Sequence, residues 1–161
     1  MKFEQLTNEV LCWVKAAIVE AGCGEPTRAY PAAGAIAWDT CDQLTVSVAG
    51  RVYKSVSFPT EYRGDDRCFS GWLVVPLAIV WTRCVPTLDT RNNPPSPKAL
   101  EEAFSAIYRD AAVVWNLVES GTLPDDEWER SIITQEFVGP QLGVLAIDTR
   151  VSIGVGHEVW C

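Results

Sequence analysis

The sequence predicts an α+β domain with a mostly antiparallel sheet, two long central strands, and two amphipathic helices packed on one face. Three observations predict it. Residues 71–84 (GWLVVPLAIVWTRC) hold almost no polar side chain before Thr82, and as a strand at about 3.3 Å per residue they extend roughly 45 Å, well beyond the usual five or six residues. Residues 143–154 form a second long run in which Leu145, Ile147, Val151 and Ile153 alternate with Asp148, Arg150 and Ser152. Two other segments repeat apolar residues at spacings of three and four, the helical period. A chain of 161 residues fits one domain, residues 1–161, long enough to bury about two-thirds of its surface.

In chain order, the spacing of Phe3, Leu6, Val10, Val14, Ala17 and Ile18 predicts a helix over residues 3–21, with Glu4, Glu9, Lys15 and Glu20 off the apolar face and Gly22 and Gly24 at its end. A loop with Pro26 and Pro31 follows. Strands are then expected at residues 35–38, 43–48 and 51–58, with Leu44, Val46 and Val48 alternating against Thr45 and Ser47, and Ala49-Gly50 as a tight hairpin turn between the last two. Residues 59–67 (PTEYRGDDR) are polar and read as an exposed loop joining this hairpin to the long strand.

Beyond Cys84, the prolines of VPTLDTRNNPPSP exclude regular structure. Ser96 is suited to an N-cap with Pro97 at the first helical position, and Leu100, Ala103, Phe104, Ile107, Ala111, Val114, Trp115 and Val118 carry the helix to residue 119. Gly121 and Pro124 stop it, and acidic residues 125–129 form a surface connection. Residues 132–138 read as a strand and Gly139-Pro140 as the turn into the strand at 143–154, the natural antiparallel partner of 71–84 because the two match in length. Gly154 and Gly156 release a short tail that includes Val159 and Trp160. With both helices on one face, the other face of the long strand presents Trp72, Val74, Ala78 and Val80, which a second subunit is expected to cover. Trp72 and Val74 are the expected subunit contacts, with Arg83 and Arg150 as bidentate partners for carboxylates there.

Thirteen Lys and Arg against 21 Asp and Glu give a net charge of −8, so the surface repels phosphate backbones and disfavours specific nucleic-acid binding, while suiting a conduit through which DNA slides. Glu4, Asn8 and Lys15 interrupt the first segment, which reads as neither a signal peptide nor a membrane span, so synthesis in a cytoplasm is expected. Six cysteines occur without a CxxC and with one histidine, His157, a pattern that predicts no metal and no cofactor. Cys41, Cys68 and Cys84 stand at the ends of expected strands, so a disulfide between two of them is geometrically conceivable outside a reducing cell. Asp125, Asp126, Glu127 and Glu129 lack the spacing of a calcium loop, and neither a phosphate loop nor a G-x-S-x-G elbow is present. The rival to a non-catalytic reading is a small thiol-dependent enzyme pairing a cysteine with His157. A third reading is a ligand-binding α+β module with an apolar pocket between helices and sheet.

Several motifs taken together carry a family resemblance. The Ser57-Phe58-Pro59 hairpin end, Arg83-Cys84-Val85-Pro86-Thr87 after the long strand, Asn93-Pro94-Pro95-Ser96 before a helix with Trp115, and Val138-Gly139-Pro140-Gln141-Leu142-Gly143 resemble head-to-tail connector and tail-terminator (neck ring) proteins of long-tailed phages infecting actinobacteria. The resemblance implies a non-enzymatic virion protein, assembled in the host cytoplasm, that forms a ring, commonly a hexamer, at the head–tail junction. Its implied partners are further copies of itself, the adjacent head-completion or connector ring and the tail-tube protein, with DNA passing through the channel. An upper neck or head-completion ring is the alternative position. The resemblance carries over no catalytic residue.

Overall fold

The computed structural model describes residues 2–34, 40–65 and 67–160, the last four by backbone alone. The chain is α+β, with elements in the order α1 (Phe3–Glu20), β1 (Arg28–Ala33), β2 (Gln43–Val48), β3 (Tyr53–Ser55), β4 (Phe69–Cys84), α2 (Pro97–Ser120), β5 (Glu129–Gln141) and β6 (Val144–Trp160). The sheet runs β1-β2-β4-β6-β5, with β3 also paired to β4; only β1 and β2 are parallel. The strand expected at residues 35–38 lies outside the described residues.

The expected pairing of the two long strands forms. β4, 16 residues long, runs antiparallel to β6 from Phe69↔Trp160 to Cys84↔Val144, with one irregularity between Gly71 and Leu73. Alternation then sorts the side chains. Leu73, Val75, Leu77, Ile79 and Trp81 meet Val155, Ile153, Val151 and Ile147 on the face that the helices cover, joined there by Leu44 and Val46 of β2. α1 packs on β1 and β2, α2 on β5 and β6, and the helices touch each other. Leu6, Val10, Val14 and Ile18 of α1 and Ile107, Ala111, Val114 and Val118 of α2 are the buried stripes. Phe3, expected on the same stripe, is 46% exposed and lines an open cavity beside β1.

Capping follows the expected chemistry. The Ser96 hydroxyl accepts from the Ala99 amide at 3.1 Å, with Pro97 opening α2. α1 ends where Gly22 takes a positive φ of 73°, letting the Cys23 amide reach the Ile18 carbonyl.

Four expectations are corrected. The segment around Pro31, read as loop, is the edge strand β1. The Ala49-Gly50 hairpin does not form: β2 and β3 lie end to end along β4, pairing with Leu77–Trp81 and Trp72–Val74 respectively. Pro76 explains the break. Its carbonyl accepts the Ala49 amide, so its nitrogen faces the same edge and has no hydrogen to donate, and the neighbouring strand bulges around its ring. Gly50 sits against that ring, where an added β-carbon would stand 2.9 Å from Pro76 Cγ. The β5–β6 turn is not Gly139-Pro140 but Leu142-Gly143, with φ of 50° and 77° as a two-residue type I′ turn requires. Gly139 and Pro140 instead occupy a bulge between Val138 and Gln141. Finally, the chain past Gly154 is not a released tail, because β6 continues to Trp160 along Phe69–Gly71.

Gly71 permits a close approach of the β3 backbone, since a β-carbon there would collide with the Ser55 carbonyl oxygen. Gly71→Ala is therefore expected to push β3 off β4 and to cost about 2 kcal/mol. Urea denaturation reads this directly, and a midpoint equal to wild type would show that the approach is not limiting.

Candidate functional site

Two places concentrate polar and apolar signals: the Arg83 end of β4 and the outer strand β5. Arg83, on the helix-facing side, reaches two carboxylates. Its Nη1 lies 2.7 Å from Asp42 Oδ1 and its Nε 2.8 Å from Asp110 Oδ2, while its guanidinium carbon stands 5.3 Å from the Trp81 ring centroid. Asp110 is completely buried, three positions after Ile107 on the apolar stripe of α2. The Trp81 indole donates to its Oδ2 at 3.4 Å, Arg109 Nη2 approaches its Oδ1 at 3.5 Å, and Oδ1 has no hydrogen bond among the described residues. Burial first, then its interaction with the nearby Asp110 carboxylate, push the Cys23 thiol above its ordinary pKa. The turn after α1 and the end of β4 therefore meet the α2 carboxylate of Asp110, and the lead into β2 joins them through Arg83.

A disulfide stands beside this cluster. Cys41 and Cys84, 43 positions apart in sequence, are bonded across a Cα separation of 5.1 Å. In the chain-entropy account a loop of that size is worth about 4 kcal/mol. Cys68 is also disulfide-bonded, while Cys12 and Cys23 are free thiols.

The second place is the sheet edge. β5 pairs only with β6 among the described residues, and its outer surface carries Ile132 (60% exposed) and Phe137 (44%). Tyr108 of α2, 62% exposed, meets Phe137 edge-to-face at 5.4 Å. The Gln135 amide donates to the Ala111 carbonyl at 3.0 Å and to Thr149 at 2.8 Å, and Arg130 donates to the Gly121 carbonyl, fastening β5 to α2 and β6. At the hairpin tip Leu142 is fully exposed.

The four residues expected at a subunit contact are not brought together. Val74 is fully buried within the chain, and Ala78 and Val80 are nearly so. The face opposite the helices is not the open apolar surface expected, since Thr45, Ser47, Thr82, Asp148 and Ser152 are buried there beside Ala78, Val80 and Ala146. Trp72 is half-buried, its ring 6.2 Å from that of Phe58, which belongs to the loop before β4 and also packs over Gly154. With Val56, Ser57 and Glu129 they line a cavity of about 390 Å³. Arg83 is committed internally. Arg150 alone of the four is a largely exposed side chain, 52% accessible, with its Nη2 3.0 Å from Asp148 Oδ2, and that hydrogen bond raises its pKa.

Sequence reasoning missed Asp110 and the exposed apolar side chains of β5, Ile132 and Phe137. A carboxylate on an otherwise apolar helical stripe was the available signal for the first.

For the thiol-enzyme reading, Cys41, Cys68 and Cys84 are tied in disulfides, and the buried Cys23 has its pKa shifted away from the thiolate that a nucleophile needs. The side chain of His157 lies outside the described residues. For the ligand-binding reading, a cavity of about 530 Å³ lies between the start of α1 and β1, lined by Phe3, Thr7, Pro31 and Val48 among others. Among the described residues no three His, Cys, Asp or Glu side chains gather as a metal site requires, and no helix is long and apolar enough to cross a membrane. Compared with known proteins, the chain matches no family model and no curated protein.

Asp110→Asn is expected to leave Arg83 incompletely paired and to cost about 3 kcal/mol in thermal or chemical unfolding. A loss below about 1 kcal/mol would mean that water replaces the pair. Because the folded-state pKa of Cys23 is raised, its contribution to stability is complete below the unfolded thiol value of about 8.5 and declines as pH rises through the folded value. Stability of Cys23→Ala against wild type, measured from pH 7 to 10, is expected to converge at the alkaline end; a constant difference would contradict the raised value.

Proposed function

We propose that this chain is a non-enzymatic structural subunit of a long-tailed phage virion. Copies form a ring at the head–tail junction, acting as tail terminator or tail-completion protein, joining the connector to the tail tube and leaving a channel for DNA. The observation that carries the reading is the outer strand β5, an edge with Ile132 and Phe137 exposed along it and Tyr108 set edge-to-face against Phe137. Exposed apolar side chains on an unpaired strand edge are a liability in a lone domain and a contact in an assembled one. A contact joining this edge to a different patch on the next copy is heterologous, and heterologous contacts close into rings when the rotation allows.

Three further features support the reading. The motif resemblance covers most of the chain. The net charge of −8 favours passage of DNA without retention. The exposed Leu142 tip and Leu88, 58% accessible, offer apolar points at the end of the sheet where an adjacent ring would stack.

Electron micrographs of the purified chain are expected to contain closed rings, and antibodies to it are expected to decorate the head–tail junction of tailed particles. Phe137→Asp is expected to abolish rings while shifting the melting temperature by no more than a few degrees, because the side chain is already 44% exposed. A wild-type chain that stays monomeric at high concentration and is missing from particles would sink the reading.

A further inference from the structure

The same two places in the chain are joined twice. Cys41 and Cys84 share a disulfide, and their neighbours Asp42 and Arg83 share an ion pair at 2.7 Å, with Arg83 anchored on the buried Asp110. Backbone bonds hold the same contact: the Asp42 amide donates to the Thr82 carbonyl at 2.8 Å, and the Thr82 hydroxyl donates to the Thr40 carbonyl at 2.9 Å. The Thr27 amide, in turn, donates to the Asp42 carbonyl at 2.9 Å. None of these bonds needs the sulfur atoms to be linked.

We propose that Cys41 and Cys84 are an oxidative latch that closes on the already folded chain, with the Asp42–Arg83–Asp110 array holding the two thiols side by side beforehand. In the unfolded chain these thiols are separated by 43 positions and meet rarely, whereas the array fixes the segment before β2 against the end of β4. Cys84 is exposed and Cys41 partly so, which leaves the pair open to a small disulfide oxidant such as oxidised glutathione. One thiol, as its thiolate, attacks the oxidant and expels one glutathione thiolate. The second then attacks the mixed disulfide and expels the other. The two cysteines lose two protons and two electrons in total, and the oxidant becomes two reduced glutathiones.

The location indicates what the latch secures. Cys84 pairs in register with Val144, and the Val85 amide donates to the Gly143 carbonyl at 2.8 Å. Closing the bond therefore fixes the end of the sheet that carries the Leu142 tip. The timing rests on the virion reading: a protein that folds in a reducing cytoplasm and then works outside the cell gains from a crosslink that folding does not require. The chemistry does not rest on it.

The test uses the isolated full chain equilibrated in glutathione buffers of set ratio, with differential alkylation and peptide mass spectrometry reporting Cys41 and Cys84 separately from Cys68. Reduced wild type is expected to stay cooperatively folded, to melt about 10 °C lower than the oxidised form, and to reclose the bond. The Cys41→Ser/Cys84→Ser double variant is expected to melt with the reduced protein. Asp42→Asn, at a site 40% exposed, is expected to lower the closing equilibrium constant about fivefold, and 1 M salt acting on wild type is expected to lower it in the same direction. A reduced chain that is unfolded, or a closing constant unmoved by both Asp42→Asn and salt, overturns the latch. Ring formation plays no part in this assay, so failure of the latch leaves the ring reading standing, and absence of rings leaves the latch untouched.

Discussion

The antiparallel pairing of β4 with β6 is the constraint on which the other elements depend. A ladder of that length assigns every side chain of both strands to one face or the other, because a slip of one residue would reverse them all. Leu73 to Trp81 at odd positions are thereby committed to the helices, and Val74 to Thr82 at even positions to the opposite face. The ladder also decides where the remaining strands can attach. β2 and β5 take the two outer edges, and Pro76, unable to donate from its nitrogen, divides the edge on the β2 side so that β3 must rejoin further along.

Charge enters the helix-covered side of this apolar framework at Asp110. An isolated carboxylate at Asp110 would cost several kcal/mol, and its burial is tolerable because Arg83, the Trp81 indole, Arg109 and the Cys23 thiol converge on it. Arg83 faces the same demand, which Asp42 and the Trp81 ring help to meet. Such a cluster contributes little net stability compared with apolar packing of equal volume. It specifies geometry instead: α2 must sit where Asp110 meets Arg83, and the segment before β2 must turn where Asp42 completes the array. The disulfide lies beside the segment that is already aligned in this way.

Most of the framework was legible in the sequence. Both helices, their caps, β2 and the pairing of the two long strands followed from periodicity, proline placement and matching length. The errors share a cause. Ala49-Gly50 looks like a hairpin turn locally, but its conformation is set by the Pro76 ring on another strand. Gly139-Pro140 looks like a turn too, yet the two adjacent residues with positive φ that close the hairpin are Leu142 and Gly143. Tertiary context also placed Arg83 differently: it was expected at a subunit contact because arginines pair with carboxylates, and it does pair with them, within its own chain. The Phe58 loop that shields Trp72 joins residues that no local pattern brings together.

The two outer strands differ in how they could receive another chain. β1 has six residues, contains Pro31, and sits beside α1. β5 has 13 residues and is stiffened by the bonds from Arg130 and Gln135 to carbonyls of α2 and of the turn that follows it. Its ladder to β6 is irregular between Ser131 and Thr134 and again between Val138 and Gln141. Residues 134–138 are thus the one regular stretch between two bulges, about the length of an ordinary strand. A free edge that was regular throughout would accept an added strand in many registers and invite open-ended aggregation. Bulges at both ends leave one short register open to pairing, and in the proposed ring Phe137 with Tyr108 would supply the apolar contact there. A heterologous contact with a single register closes a ring only where its rotation divides a full turn with no rise along the axis, and otherwise grows into a filament.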